Sequence, residues 1–394
     1  MAASTASFNM IEAIVKVAER CNIDCTYCYF FNRANQSYKE HSPLIDPDTV
    51  DALARFLARG AQDLGARVVQ IDLHGGEPLL MKKHRFREMC STLHSTISEV
   101  ATVRIGVQTN AMLVDEDWIS IFEEFRIGVG VSIDGDRETH DRYRLDHNGR
   151  GTYDRTVRGL RLLQEARRRR QRLPEVAVLA VADFASDPVA TFRHLVDDLE
   201  FRFIHLLLPD YDRDDVAGRL VAQRAQRFLL GFYRAWVSRR DPSIAVRLFS
   251  NTLPVLADRS VVAARGTQGK AIAFTVSSDG DLDPPDDLRN VLKSEFGLGP
   301  NVRDTALADF AMNSRFAHIL TTSAAIPTDC GSCALKTACY NGLQQTQSPV
   351  HRFSKKRGFD NPSLYCDGYK AVMIEMAAAL VKSGNVALEE LVAG

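Results

Sequence analysis

Seven of the eight cysteines fall into two groups, and their spacing is the first chemical signal in the chain. Cys21, Cys25 and Cys28 stand in one CxxxCxxC loop, Cys21-Asn22-Ile23-Asp24-Cys25-Thr26-Tyr27-Cys28. Three thiolates on a short loop can bind three irons of a [4Fe–4S] cube and leave the fourth iron without a protein ligand. An open metal position is what a catalytic site needs, because substrate or cosubstrate can occupy it. A structural zinc ion is the competing explanation, but zinc wants a fourth ligand, and the nearest downstream histidine, His41, lies 13 residues past Cys28. The second group is Cys330-x2-Cys333-x5-Cys339, then 26 residues, then Cys366. Its four soft ligands suit either a closed Fe–S cluster or structural zinc, and spacing alone does not separate the two. Cys90 stands alone on a helix-like segment and reads as a small buried hydrophobe.

These groups need a frame. Ile11–Ala18 reads as a strand running straight into Cys21. Asp46-Pro47 offers an N-cap and a first-turn proline for a helix to about Leu64. Strands then alternate with helices: Val68–Leu73, Lys82–Ile97, Val103–Gln108, Asp115–Phe125, Ile127–Ile133, Thr152–Arg170, Val176–Val181, Pro188–Leu199 and Phe203–Leu208. Six βα units imply a parallel sheet, since parallel strands need crossover connections, and their regularity predicts an α/β partial barrel. Chemistry in such a fold sits at the C-terminal ends of the strands. The second half differs. Ala222–Arg239 reads as one long helix, Asp279-Gly280 marks a hairpin within Ile272–Asp283, and Tyr369–Val381 closes the chain as an amphipathic helix. The expected division is 8–215 for the barrel, 216–260 for a helical linker and 261–394 for a cysteine-rich domain. The basic run Arg167–Arg170 reads as a solvated helix end.

Composition bounds the function. The 394 residues carry 49 Lys+Arg against 50 Asp+Glu, which argues against a general nucleic-acid binder. No apolar run approaches the roughly 18 residues of a membrane span, and MAASTASFNM lacks a secretory pattern, so a cytoplasmic protein with no membrane partner is expected.

The triad, with an aromatic residue before its last cysteine, resembles the signature of radical S-adenosylmethionine (SAM) enzymes. The resemblance implies a partial (β/α)6 TIM-type barrel, with SAM chelated to the open iron and cleaved to a 5′-deoxyadenosyl radical after reduction by a flavodoxin- or ferredoxin-type donor. Tyr27 is expected beside the cofactor. His74-Gly75-Gly76-Glu77-Pro78, after the second strand, resembles the family's GGEP element, in which Gly75 and Gly76 permit close backbone approach and Glu77 holds the SAM amino group. Ser132, at the end of the fourth strand, is assigned to the SAM ribose and carboxylate region. Arg144, in an HDxxR-like element from His140, can pair with the SAM carboxylate. For Asn110 and Asp134, cofactor contact and a strand-end cap explain the residue equally well. Leu206–Leu208 would wall the adenine or simply form a buried sixth strand.

The C-terminal cysteines resemble the SPASM or twitch extension of radical SAM peptide maturases, which carries auxiliary clusters. Pro285 and Leu343 stand where the full pattern has cysteines, so one auxiliary [4Fe–4S] cluster is expected, two clusters in all. Asp286 occupies the place of a proposed base in sulfatase-maturating relatives, and a solvated turn carboxylate is the alternative. His351-Arg352-Phe353-Ser354 and Gly358-Phe359-Asp360-Asn361-Pro362-Ser363-Leu364-Tyr365-Cys366, with Leu207-Leu208-Pro209-Asp210, resemble enzymes that build three-residue cyclophanes in ribosomally made precursor peptides. There the adenosyl radical abstracts a β-hydrogen and the carbon radical attacks an aromatic ring; Asp286 and the auxiliary cluster are candidates for base and electron acceptor. His351 and Arg352 equally suit folding contacts around Cys366. The alternatives are sulfatase maturation to formylglycine, thioether (sactipeptide) formation, and a non-enzymatic Fe–S carrier or zinc scaffold. No separate leader-binding domain is expected before the first strand, which leaves sheet edges or the C-terminal extension to capture the peptide.

Overall fold

The computed structural model describes residues 8–258, 260–262, 270–293, 296–312 and 314–384. Leaving unlabelled the helices Arg137–Tyr143 and Ser314–Ala324, the two-residue strands Asp24–Cys25 and Arg144–Leu145, and the shorter helical turns, the elements run β1 (Phe8–Ala18), α1 (Pro47–Leu64), β2 (Val68–Gly75), α2 (Lys83–Ser98), β3 (Thr102–Thr109), α3 (Glu116–Glu124), β4 (Gly128–Ser132), α4 (Tyr153–Arg170), β5 (Ala177–Val181), α5 (Pro188–Arg193), β6 (Phe203–Leu207), α6 (Val216–Ala222), α7 (Ala225–Arg239), β7 (Ala245–Val246), β8 (Lys270–Val276), β9 (Leu282–Asp283) and α8 (Cys366–Lys382). Local chemistry sets several ends. Asp46 caps α1 by accepting from the Thr49 N–H at 2.8 Å, Pro47 opens the helix, and Gly65 closes it in the left-handed region. Asp115 and Asp187 cap α3 and α5 in the same way.

The described residues form two compact units. The first lies within 1–132, 141–176 and 268–320. Its strands run in the order β9-β8-β1-β2-β3-β4, parallel except for β9 against β8. One face of β2 is apolar and buried at Val69, Ile71 and Leu73; the other is polar and half-buried at Gln70, Asp72 and His74. The period of two thus separates a greasy face from a wet, functional one. Register aligns the strand ends, with Lys16 of β1 opposite His74 of β2.

The second unit lies within 133–140, 177–267 and 321–394. Its parallel strands β5, β6 and β7 pair in sequence, and stacked Phe228 and Phe232 of α7 anchor its core. Gln347 ties Leu206 and Leu208 together, donating to one carbonyl and accepting from the other N–H.

Two expectations change. The long helix expected over 222–239 forms as one helix, α7, but starts at Ala225; the turn Gln223–Arg224 separates it from a short helix, α6, that ends at Ala222. The hairpin forms around Asp279-Gly280, but its first strand, β8, lies parallel along β1. Compactness therefore does not follow linear order: residues 270–320 group with the amino-terminal strands, and 177–262 group with the cysteine-rich segment. The boundary expected near 260 abuts 263–269, which lie outside the described residues. Arg170, at the end of the basic run, pairs with Glu116 and Glu123 at the surface. Among the described residues no helix is long and apolar enough to cross a membrane.

Candidate active site

The cysteine triad is pinned at several points. Asp24 and Cys25 form a two-residue antiparallel ladder with Arg144 and Leu145. The Thr26 N–H donates to the Tyr143 carbonyl at 2.9 Å, and a His147 ring nitrogen lies 3.0 Å from the Cys21 carbonyl. Cys25 is buried with Ile23 and Met112, and Cys21, Tyr27 and Cys28 pack against that cluster. Burial pushes the Cys21 and Cys28 thiols up, while the N–H groups of Ile23, Phe30 and Phe31 point at their sulfurs. A sulfur already served by N–H donors but starved of solvent is set up to be a thiolate beside a cation.

The Gly75-Gly76-Glu77 turn docks against the residues leading into the triad. Gly75 has φ of 122°, and a Cβ on Gly76 would lie 2.0 Å from the Arg20 carbonyl oxygen. The Gly76 and Glu77 N–H groups donate to the carbonyls of Ala18 and Arg20 at 2.7 and 2.9 Å. Both glycines are thus required by conformation or by close approach. The Glu77 carboxylate is buried and accepts from the Leu79 N–H, the Thr109 hydroxyl and the Asn110 N–H at 2.7–3.0 Å. Burial outweighs these donors and pushes its carboxyl up to about 7.

The other expected cofactor residues divide. Asn110 reaches the triad loop itself, donating from Nδ2 to Asn22 Oδ1 at 2.7 Å. Arg144 lies over the Tyr27 ring, with Nη1 3.8 Å from Cys25 Sγ. The Ser132 hydroxyl accepts from Gln108 Nε2 at 2.7 Å. In the second unit, Asp134 is buried and accepts from the Val181 N–H at 3.0 Å, a strand-end cap.

Asp286 is no solvated turn carboxylate. It is 3% exposed and accepts from Lys16 Nζ and the Tyr29 hydroxyl on one oxygen and from Arg289 Nε on the other. Burial alone would raise its pKa, but the Lys16 and Arg289 cations overcome that and hold it well below the usual carboxylate range. Burial lowers the Lys16 pKa, with Asp286 opposing. His74 Nδ1 lies 3.3 Å from Lys16 Nζ; burial and that cation push the imidazole down to about 3, so it is neutral at physiological pH. Arg289 lies over the Phe30 and Phe296 rings, at 4.4 and 4.5 Å, and donates to Asn35 and Ser37 at 3.0 Å. The sequence does not single out Lys16, Tyr29 or Arg289, and it shows His74 only as the first residue of the HGGEP element. Of the first three, Lys16 alone carries a signal, a charge near the end of an apolar strand.

The second unit gathers the remaining thiols. Cys330, Cys333, Cys339 and Cys366 lie close enough to influence one another electrostatically, and Cys366 opens α8. Leu343 is buried. Among the described residues no three His, Cys, Asp or Glu side chains are placed to share one metal ion. Cys90 is fully buried in α2.

Comparisons with known proteins agree with this geometry. Residues 15–178 match the Radical SAM superfamily. The chain is 22% identical over 365 residues to the cysteine-type anaerobic sulfatase-maturating enzyme of Clostridium novyi, covering 91% of this chain and 92% of that one. It is 26% identical over 371 residues to the serine-type anaerobic sulfatase-maturating enzyme of Bacteroides thetaiotaomicron, covering 89% and 85%. The structure of native anSMEcpe with bound AdoMet and Cp18Cys peptide superposes with a TM-score of 0.76 at 18% identity, covering 95% of this chain and 99% of that one. The expected α/β fold, with a SPASM-like C-terminal region, is therefore present. With three thiols on a pinned loop, a GGE turn docked against it and these matches, residues 15–178 form a radical SAM domain, and the chain is an oxidoreductase-type enzyme whose cofactors are S-adenosylmethionine and [4Fe–4S] clusters.

Proposed function

We propose that this enzyme modifies a ribosomally made precursor peptide by joining a β-carbon to an aromatic side chain, a cyclophane crosslink. The observation that carries the reading is the block from His351 to Cys366, whose residues resemble the cyclophane-forming enzymes. That block meets the other resembling segment: the Tyr365 hydroxyl donates to the Pro209 carbonyl at 2.6 Å, and His351 packs edge-on against Tyr365. Asn361 holds the block together, donating to the carbonyls of Arg352 and Gly358 and to the Ser354 hydroxyl.

Cys21, Cys25 and Cys28 would hold the SAM-binding cluster, and Cys330, Cys333, Cys339 and Cys366 the auxiliary cluster able to take up an electron. SAM held at a reduced [4Fe–4S] cluster supplies a 5′-deoxyadenosyl radical. That radical would take a β-hydrogen from the bound peptide, leaving as 5′-deoxyadenosine. The carbon radical adds to the aromatic ring two residues away. Loss of one proton and one electron restores aromaticity, so the peptide loses two hydrogens in all. In this reading Glu77 receives the SAM ammonium, Arg144 and Ser132 its carboxylate and ribose, and Tyr27, Gly75, Gly76 and Asn110 hold the loop, with Asp134 bracing its strand end. Asp286 is the candidate proton acceptor, but three donors already occupy its carboxylate, so it takes a proton only when one of them turns away. We also propose 8–215, 216–260 and 261–394 as the functional segments, and a flavodoxin or ferredoxin as electron donor.

A second reading is formylglycine formation, which the sulfatase-maturating relatives favour. Co-expression with a candidate precursor separates the two. A crosslinked product is two hydrogens lighter, keeps its thiols, gives no fragment ions between the joined residues and does not react with hydrazide. A hydrazide-reactive aldehyde would overturn the crosslink reading.

A further inference from the structure

The four-thiol site carries a buried cation with no anion to answer it. Arg352 is 2% exposed. Its Nη1 donates to the Ala325 carbonyl at 2.6 Å and to the Tyr340 hydroxyl oxygen at 2.8 Å, and its Nη2 donates to the Ser323 carbonyl. Its Nε is buried with no protein partner. Every acceptor it has is neutral, and no ion pair with Arg352 is formed among the described residues. A lone buried guanidinium is costly, and proteins ordinarily answer such a charge with an anion.

The direction of the missing anion is given by Tyr340. This residue follows Cys339, its ring lies under the guanidinium at 5.5 Å, and its hydroxyl, having accepted from Arg352, hydrogen-bonds the Cys330 sulfur. The carboxylate beside Cys330 is already matched: Asp329 pairs with Arg357 at 2.8 Å.

We infer that Arg352 is the built-in counter-cation of the four-thiol site, coupled to it through the Tyr340 hydroxyl, and that it sets the site's reduction potential. The inference rests on the reading of Cys330, Cys333, Cys339 and Cys366 as auxiliary-cluster ligands. Four thiolates around a [4Fe–4S] core carry net negative charge, which answers the guanidinium. Reduction adds one more negative charge, so a fixed cation and an O–H···S hydrogen bond favour the reduced form and raise the potential. The pair acts through the ligand sulfur and is a positioning device, matched to a site that must accept an electron.

The test uses the full chain with Cys21, Cys25 and Cys28 all changed to Ala, so that only the four-thiol site can bind iron. Iron and sulfide content are measured first, then the midpoint potential by redox titration followed by electron paramagnetic resonance. Tyr340→Phe is expected to keep the iron and move the midpoint to a more negative value by at least a tenfold change in the reduction equilibrium, 59 mV for one electron. Arg352→Gln should move it further, and Arg352→Lys should restore most of the shift. An unchanged midpoint in Tyr340→Phe and Arg352→Gln at full iron content overturns the inference. If Arg352→Gln loses its iron, Tyr340→Phe and Arg352→Lys decide alone. Zinc, or no iron, in the parent would instead overturn the cluster reading on which the inference stands.

Discussion

Lys16 and Asp286, 270 residues apart in sequence, form an ion pair whose side chains are 0% and 4% exposed. The pair joins the end of β1 to the segment after β9, and Tyr29 and Arg289 complete it. Breaking a buried pair from one side strands the other charge, at a cost of about 3–5 kcal/mol. Lys16→Met and Asp286→Asn should each lower unfolding free energy on that scale, and the double variant should lose less than the sum of the two. Denaturant titration of the four proteins measures the coupling. If Asp286→Asn lost activity with unchanged stability, a purely chemical role would be favoured over the anchoring one.

Cys25→Ala should remove the iron of the triad alone. Iron per chain should fall by roughly half, since each cube holds four irons, and release of 5′-deoxyadenosine after reduction should drop below detection. Full iron loss would mean that the two sites assemble together.

If Glu77 receives the SAM ammonium as proposed, SAM binding should depend on pH. Its carboxyl is raised to about 7 by burial, so below that value it is neutral in the free enzyme. A neutral carboxyl offers no charge to an ammonium. SAM affinity should therefore be full above pH 7 and weaken as the pH falls through that value, and Glu77→Gln should bind weakly at every pH. Isothermal titration calorimetry across the interval checks both; a flat profile in the wild-type protein would remove Glu77 from the binding site.

Gly76→Ala would force a methyl against the Arg20 carbonyl oxygen. Backbone cannot yield as a flexible side chain does, so the turn must move. A loss of about 2 kcal/mol or more in stability is expected, with lower iron occupancy at the triad. Gly65→Ala is the control: its added methyl meets nothing within 4 Å, although its φ of 68° carries the ordinary left-handed strain.

Much of this architecture was legible in the sequence because its causes are local. Asp46-Pro47 announces α1, alternation announces β2, and the cysteine spacing and the paired glycines announce the site. What was illegible depends on partners distant in the chain. Nothing near Asp286 shows that Lys16 and Arg289 will flank it. Nothing in Ala271–Val276 shows that it will pair with β1 instead of with the cysteine-rich segment. Asn110 and Ser132 were picked out, but their partners, Asn22 and Gln108, were not, because a hydrogen bond across strands or loops leaves no periodic trace. The break at Gln223–Arg224 carries neither proline nor glycine, so no local punctuation marks it.

The parallel pairing of β8 along β1 gives the order of synthesis a cost. Until residues 270–276 have left the ribosome, one whole side of β1 keeps its backbone N–H and C=O groups unpaired, an open template for strands of other chains. A nascent or truncated chain ending before Lys270 should therefore depend on chaperones and precipitate when they are scarce.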